Sequence, residues 1–151
     1  MKKLIPEDLV FLGLKSPDKA GVINELAGRL SAAGKIHDRA EAAAAVMERE
    51  NKLSTGVKLG VAFPHGELPG NAGNFDPVVA CVGVSDNPVD FDSPDGEPCR
   101  IFVLSLCDPA RKGDYLKLIS EISLLLRDEG VRKAILRAKT PADVSSVLSI
   151  P

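Results

Sequence analysis

Two apolar runs, Val78 to Val84 and Arg100 to Leu106, constrain the fold of this chain more than any other feature. The first is apolar apart from Cys81 and Gly83, so neither of its faces suits water. A strand of that kind is central and needs a layer on each side. Between the runs, Val89-Asp90-Phe91-Asp92 alternates and leads into Ser93-Pro94-Asp95-Gly96, a strong turn sequence. That turn implies at least one antiparallel pair. A third fragment, Gly60 to Phe63, reads as a brief buried strand between turn formers. Pro64 has no N–H to give to a ladder, so this strand is expected to stop there.

The remaining pattern is helical. Ser16-Pro17-Asp18 reads as an N-cap, a first-position proline and an early carboxylate. Val22, Ile23, Leu26 and Leu30 then form one stripe, which Gly34 ends. A second helix starts near Asp38, with Glu41 three residues on, and runs to about Glu50 or Asn51. Glu67 to Pro77, rich in Gly, Pro and Asn, reads as a surface excursion. Gly113-Asp114 is expected to cap a helix from about Tyr115 to Arg127, with Leu118, Ile119, Ile122, Leu125 and Leu126 inward. A short helix from Val131 to Ala138 follows, and Thr140-Pro141-Ala142-Asp143 opens a last one ending near Ile150. The order predicts an α/β fold: a three-layer sandwich with a mixed four- or five-stranded sheet flanked by helices. No repeat, linker or low-complexity tract interrupts 1–151, so the chain reads as a single domain.

A chain of 151 residues, 44% hydrophobic and 26% charged, is long and apolar enough to fold rather than remain disordered. A net charge of −2 gives no reason to expect nucleic acid or an anionic membrane surface as partner. Pro6, Glu7 and Asp8 break the opening Met1-Lys2-Lys3-Leu4 too early for a signal peptide, and no apolar run has membrane-spanning length. Cys81, Cys99 and Cys107 lie in or beside strand-like segments and read as buried free thiols in a reducing cytoplasm. Neither they nor the two histidines have metal-ligand spacing, so no metal and no cofactor is expected.

The chemistry concentrates in Ser54-Thr55-Gly56 and Gly60-Val61-Ala62-Phe63-Pro64-His65-Gly66. His65 is placed at a strand mouth, with the backbone beside it bare at Gly66. Imidazole is substantially neutral, hence nucleophilic, near neutral pH. Two readings stand on the residues alone: a nucleophile, or a loop histidine hydrogen-bonded to backbone.

Taken with Arg49-Glu50 ahead of it, this stretch resembles the enzyme IIA domains of the bacterial phosphoenolpyruvate-dependent phosphotransferase system, in the branch holding the fructose/mannitol and nitrogen-regulatory types. The likeness extends over Leu14-Lys15-Ser16, Val89-Asp90-Phe91-Asp92, Asp95-Gly96-Glu97-Pro98, Ile101 to Leu106 ahead of Pro109, and Leu116-Lys117-Leu118-Ile119 with Glu121. The resemblance implies a mixed sheet between helical layers and a phosphohistidine carrier. His65 would accept a phosphoryl group from an HPr-like carrier protein, with Arg49 close to the phosphohistidine. The acceptor would be an enzyme IIB or a regulatory target protein. A guanidinium suits the task because its fixed donors match phosphoryl oxygens and it stays charged. Ser54 and Thr55 are candidates for further hydroxyl donors, or else turn residues ending a helix.

The chain departs from the family where most active members carry a second histidine followed by leucine. Tyr115 stands there, in Gly113-Asp114-Tyr115-Leu116. A phenol can donate a hydrogen bond to a phosphoryl oxygen but cannot carry positive charge. Asp114 beside it either repels a phosphoryl group or caps the helix. Lys58-Leu59 replaces residues that are usually small or polar in relatives, and Lys58 is either an anion contact or a solvated lysine. His37 matches no family site and reads as a solvated loop residue. Two functions follow: a phosphoryl-transferring carrier, or a non-transferring regulatory binding module of the same fold. With no enzyme IIB or permease in these 151 residues, the expectation leans towards the nitrogen-regulatory type.

Overall fold

The computed structural model of the protein describes residues 1–69 and 76–151. Its strands are β1 (Lys2–Lys3), β2 (Val10–Leu14), β3 (Val61–Ala62), β4 (His65–Glu67), β5 (Val78–Val89), β6 (Cys99–Cys107) and β7 (Ser149–Ile150). Its helices are α1 (Lys19–Ala32), α2 (Arg39–Lys52), α3 (Lys112–Leu126), α4 (Glu129–Arg137) and α5 (Pro141–Val147). The two apolar runs lie side by side as the antiparallel pair β5 and β6, reversing through Ser93–Gly96, where Gly96 N donates to Ser93 O at 3.0 Å. β2 runs parallel to β5, while β3 and β4 both run parallel to β6 on its other edge. The five-stranded sheet is therefore mixed, in the order β2-β5-β6-β3 with β4 further along β6.

The period of two in β5 and β6 builds the layers. Val79, Cys81, Phe102, Leu104 and Leu106 face one core with Leu26, Leu30 and Val46 from α1 and α2. Ala80, Val82, Val84, Ile101 and Val103 face the other with Ile122, Ile135 and Val144 from α3, α4 and α5. Each leucine or isoleucine so buried contributes roughly 1.5–3 kcal/mol. The three cysteines are buried free thiols, and burial pushes the Cys81 thiol up to about 12. No helix among the described residues is long and apolar enough to cross a membrane.

Several element boundaries differ from the sequence expectation, each for a local reason. α1 is capped by Asp18, which accepts from Gly21 N at 2.7 Å, and not by Ser16. The Ser16 hydroxyl donates instead to Glu25 at 2.7 Å, so the side chain that looked like a cap ties the incoming chain to the second turn of the helix. β5 continues five residues past Val84, across a register irregularity. α3 begins at Lys112, directly after a 3-10 turn at Pro109–Arg111 that Asp108 caps. α5 stops at Val147, because Ser149–Ile150 forms a two-stranded antiparallel sheet with Lys2–Lys3. Residues 70–75 of the expected surface excursion lie outside the described residues.

Candidate active site

The last turns of α2, the strand β4 and the first turn of α3 meet around a cavity of about 480 Å³. Their convergence begins with Gly66. It is buried, not bare, and a Cβ placed on it would stand 2.9 Å from both Ala45 C and Val46 N of α2. Only a residue without a side chain lets the α2 backbone rest on β4. That contact brings Arg49, one turn beyond Ala45, to the cavity wall it shares with His65. Gly66→Ala is expected to lower stability by about 1–3 kcal/mol, the typical cost of overpacking. Denaturant unfolding checks this, and an unchanged midpoint would mean that α2 yields freely.

His65 is the first residue of β4 and half-buried, not the residue beyond a strand end. Proline lacks only the donor half of a ladder bond. Pro64 O accepts from Ser105 N at 3.0 Å, and pairing resumes at once with His65 opposite Ser105. The ring nitrogen Nδ1 lies 2.9 Å from Phe63 O. A carbonyl only accepts, so the proton of the neutral ring sits on Nδ1 and the lone pair on Nε2.

Arg49 donates from one guanidinium nitrogen to Leu53 O at 2.7 Å, closing the α2 C-terminus on itself. The same residue lines the cavity. Tyr115, in the first turn of α3, lies with its ring centroid 5.7 Å from that of His65, at an interplanar angle of 37°. Burial pushes its phenol upward, with Ser105 and, less strongly, Arg49 pulling the other way. The net shift is up, so Tyr115 is a neutral donor throughout the physiological range. The buried Ser105 hydroxyl lies beside that phenol but forms no well-aligned hydrogen bond among the described residues.

The remaining candidates lie outside the cavity lining. Ser54 and Thr55 do not line the cavity. The Ser54 hydroxyl donates to Phe91 O and the Thr55 hydroxyl to Glu50, so both are committed elsewhere. Asp114 is not the α3 cap: Arg111 occupies that position and donates to Asp114 from Nε at 2.9 Å, neutralising it. Lys58 is exposed and outside the cavity lining. Leu59 beside it has φ 68°, a left-handed conformation that leucine disfavours. Its amide donates to Asp95 at 3.0 Å, which holds it there. His37 is exposed, between α1 and α2, and is absent from the cavity wall.

Sequence reasoning missed Lys52 and Lys112, both of which line the cavity. Their signal was spacing: Lys52 lies three residues after Arg49 on α2, and Lys112 three before Tyr115 on α3. Lys112 also pairs across the rim with Glu67 at 3.5 Å. The α3 N-terminus has no side-chain cap, so its positive dipole end adds to these cations. Arg49, Lys52 and Lys112 outnumber the two carboxylates of the lining, Glu48 and Glu67, and with the dipole end and an imidazole Nε2 that has no partner among the described residues they make a place for a small anion.

Known proteins are similar to this chain in sequence and in fold. The family model described as "Phosphoenolpyruvate-dependent sugar phosphotransferase system, EIIA 2" matches residues 3–150. The chain is 30% identical over 147 residues to the fructose-specific EIIABC component of Bacillus subtilis, covering 97% of this chain but only 22% of that protein. It is 30% identical over 148 residues to a nitrogen regulatory protein of Bradyrhizobium diazoefficiens, covering 98% and 94%. Among solved structures, nitrogen regulatory protein IIA-Ntr from Neisseria meningitidis superposes with a TM-score of 0.86 at 23% identity, covering 97% of both chains. Enzyme IIAMTL in complex with phosphorylated enzyme IIBMTL, from Escherichia coli, superposes with 0.76 at 17%, covering 95% and 96%. These structural matches establish the shared fold.

Proposed function

The chain belongs to the EIIA 2 family of the phosphoenolpyruvate-dependent sugar phosphotransferase system, and from that membership we propose that it is a cytoplasmic phosphohistidine carrier with His65 as the acceptor. An HPr-like donor presents its phosphoimidazole at the cavity. The Nε2 lone pair of His65 attacks phosphorus as the P–N bond of the donor's ring-protonated phosphoimidazolium breaks, so the donor leaves as neutral imidazole with that bond's electrons and the His65 ring takes up the positive charge. Nδ1 keeps its proton on Phe63 O throughout. The group then passes to an enzyme IIB or a regulatory target protein, or its presence on His65 is itself the signal.

The observation that carries this reading is the Nδ1–Phe63 O bond, which leaves the nucleophilic nitrogen free in a cavity that Arg49 shares. Phosphoryl transfer asks little of a protein beyond such placement and balanced charge on the phosphoryl oxygens. Arg49 supplies fixed donors, Lys52 and Lys112 add charge, and Tyr115 adds a neutral donor. Ser54 and Thr55 support the loop rather than touch the phosphoryl group. The test is incubation with phosphoenolpyruvate, enzyme I and an HPr-like carrier, followed by mapping of acid-labile phosphate. A protein that takes no label with an active donor overturns the carrier reading.

One observation favours the second reading, a regulatory module that no longer transfers: an uncharged phenol stands 5.7 Å from the imidazole, where most active relatives carry a histidine. Tyr115→His separates the two. A faster variant is expected, because a protonated histidine adds charge that tyrosine lacks. A slower variant would mean that the phenol itself is the better donor here.

A further inference from the structure

Glu50 is 3% exposed, the most deeply buried charged residue among those described. A carboxylate in that position is costly unless paired and hydrogen-bonded. Both of its oxygens are engaged. Oε2 accepts from Lys19 Nζ at 3.0 Å and from Thr55 N at 2.9 Å, while Oε1 accepts from the Thr55 hydroxyl. Lys19 also donates to Asp92 at 3.1 Å and lies 5.3 Å above the Phe91 ring. Burial works against the Lys19 charge, but the bonds to Glu50 and Asp92 outweigh it and raise its pKa. The network thus joins the α1 N-terminus, the α2 C-terminus and both neighbouring loops.

From Thr55 the bonding continues to the active site. Thr55 O accepts from Phe63 N at 2.9 Å, and Phe63 O accepts from His65 Nδ1 at 2.9 Å. The Phe63 carbonyl belongs to the amide with Pro64, where the ring restricts the backbone, so its direction depends on how Phe63 N is held. We propose that Glu50 is a positioning residue for His65: through Thr55 and Phe63 its carboxylate aims the carbonyl that selects the Nδ1–H tautomer, and Lys19 is the counter-ion that permits its burial. The glutamate directly after Arg49 then has a role separate from phosphoryl contact. One helix end presents Arg49 to the cavity and, on its inner side, Glu50 to the loop that carries the nucleophile.

Thr55→Val removes the hydroxyl donor while keeping the backbone bonds, Thr55→Ser restores it, and Glu50→Gln removes the charge. The tautomer ratio of His65 is read from imidazole nitrogen-15 shifts on the alkaline plateau, where they no longer change with pH. The parent is expected to show the Nδ1–H form. Thr55→Val and Glu50→Gln are expected to mix the tautomers and slow phosphoryl transfer about tenfold at unchanged KM for the donor, as for a misplaced nucleophile. Thr55→Ser should recover both properties. An unmoved tautomer ratio, or an unmoved rate, in folded Thr55→Val overturns the proposal even if melting temperature falls. Should Glu50→Gln fail to fold, the Val and Ser pair at Thr55 decides alone. The kinetic arm rests on His65 being the phosphoryl acceptor. If the parent takes no label, that reading fails separately, and the tautomer ratio still tests the brace.

Discussion

Replacing His65 by alanine is expected to reduce acid-labile phosphate to background while leaving the fold intact. The side chain is half-buried at the cavity wall, and its main structural bond is the single one from Nδ1 to Phe63 O. Its loss should cost about 1 kcal/mol, too little to unfold a domain. Its chemistry has no substitute. The second histidine, His37, is exposed and outside the cavity lining. Tyr115 is neutral and buried, so it offers no competing nucleophile at physiological pH. Phosphate mapping on His65→Ala is the measurement, and label persisting at His37 would reject the assignment. A second negative variant is His65→Gln, which keeps polarity at the wall and should be equally inert.

Arg49→Ala is expected to slow phosphorylation about a hundredfold, the usual scale for removing one preorganised donor to developing charge. The effect should fall on the transfer step, because Lys52 and Lys112 still attract the anion. Arg49→Lys separates charge from geometry. Lysine restores a positive charge but not the planar fork, so it should recover only part of the loss. Stability must be measured alongside, since Arg49 also closes the α2 C-terminus through Leu53 O. That bond contributes about 1 kcal/mol, and a larger fall would indicate that the helix end has rearranged. A transfer rate equal to that of the parent, in a folded variant, would leave the guanidinium with the helix-capping role alone.

Much of the fold was legible because its cues are local. Val78 to Val84 and Arg100 to Leu106 could only be central strands, and they are the paired centre of the sheet. The Asp38 cap and the Thr140–Asp143 capping box were read directly and formed as read. Errors fell where two local answers were equally good. Ser16 was read as the cap and Asp18 as a first-turn carboxylate, but Asp18 caps the helix while the Ser16 hydroxyl is taken by Glu25. Ser149 and Ile150 looked like the end of the last helix, and form a strand because Lys2–Lys3 lies alongside. Pro64 correctly broke β3, but the ladder needed only its carbonyl and resumed one residue later.

The amino-acid order alone carried the layered α/β scheme, through its periodicity and turn signals, while the resemblance to a family singled out His65 and Arg49 as candidates and Tyr115 as the departure. Only the tertiary structure decided how these act together. Which nitrogen of His65 is free depends on Phe63 O, what Thr55 holds depends on a carboxylate buried beside it, and Lys52 and Lys112 matter because two helix ends meet. The first two are contacts across two and five residues, made by the way the chain turns there, and the third brings together the ends of α2 and α3, far apart in the chain. A pattern read along one segment does not contain such a distance.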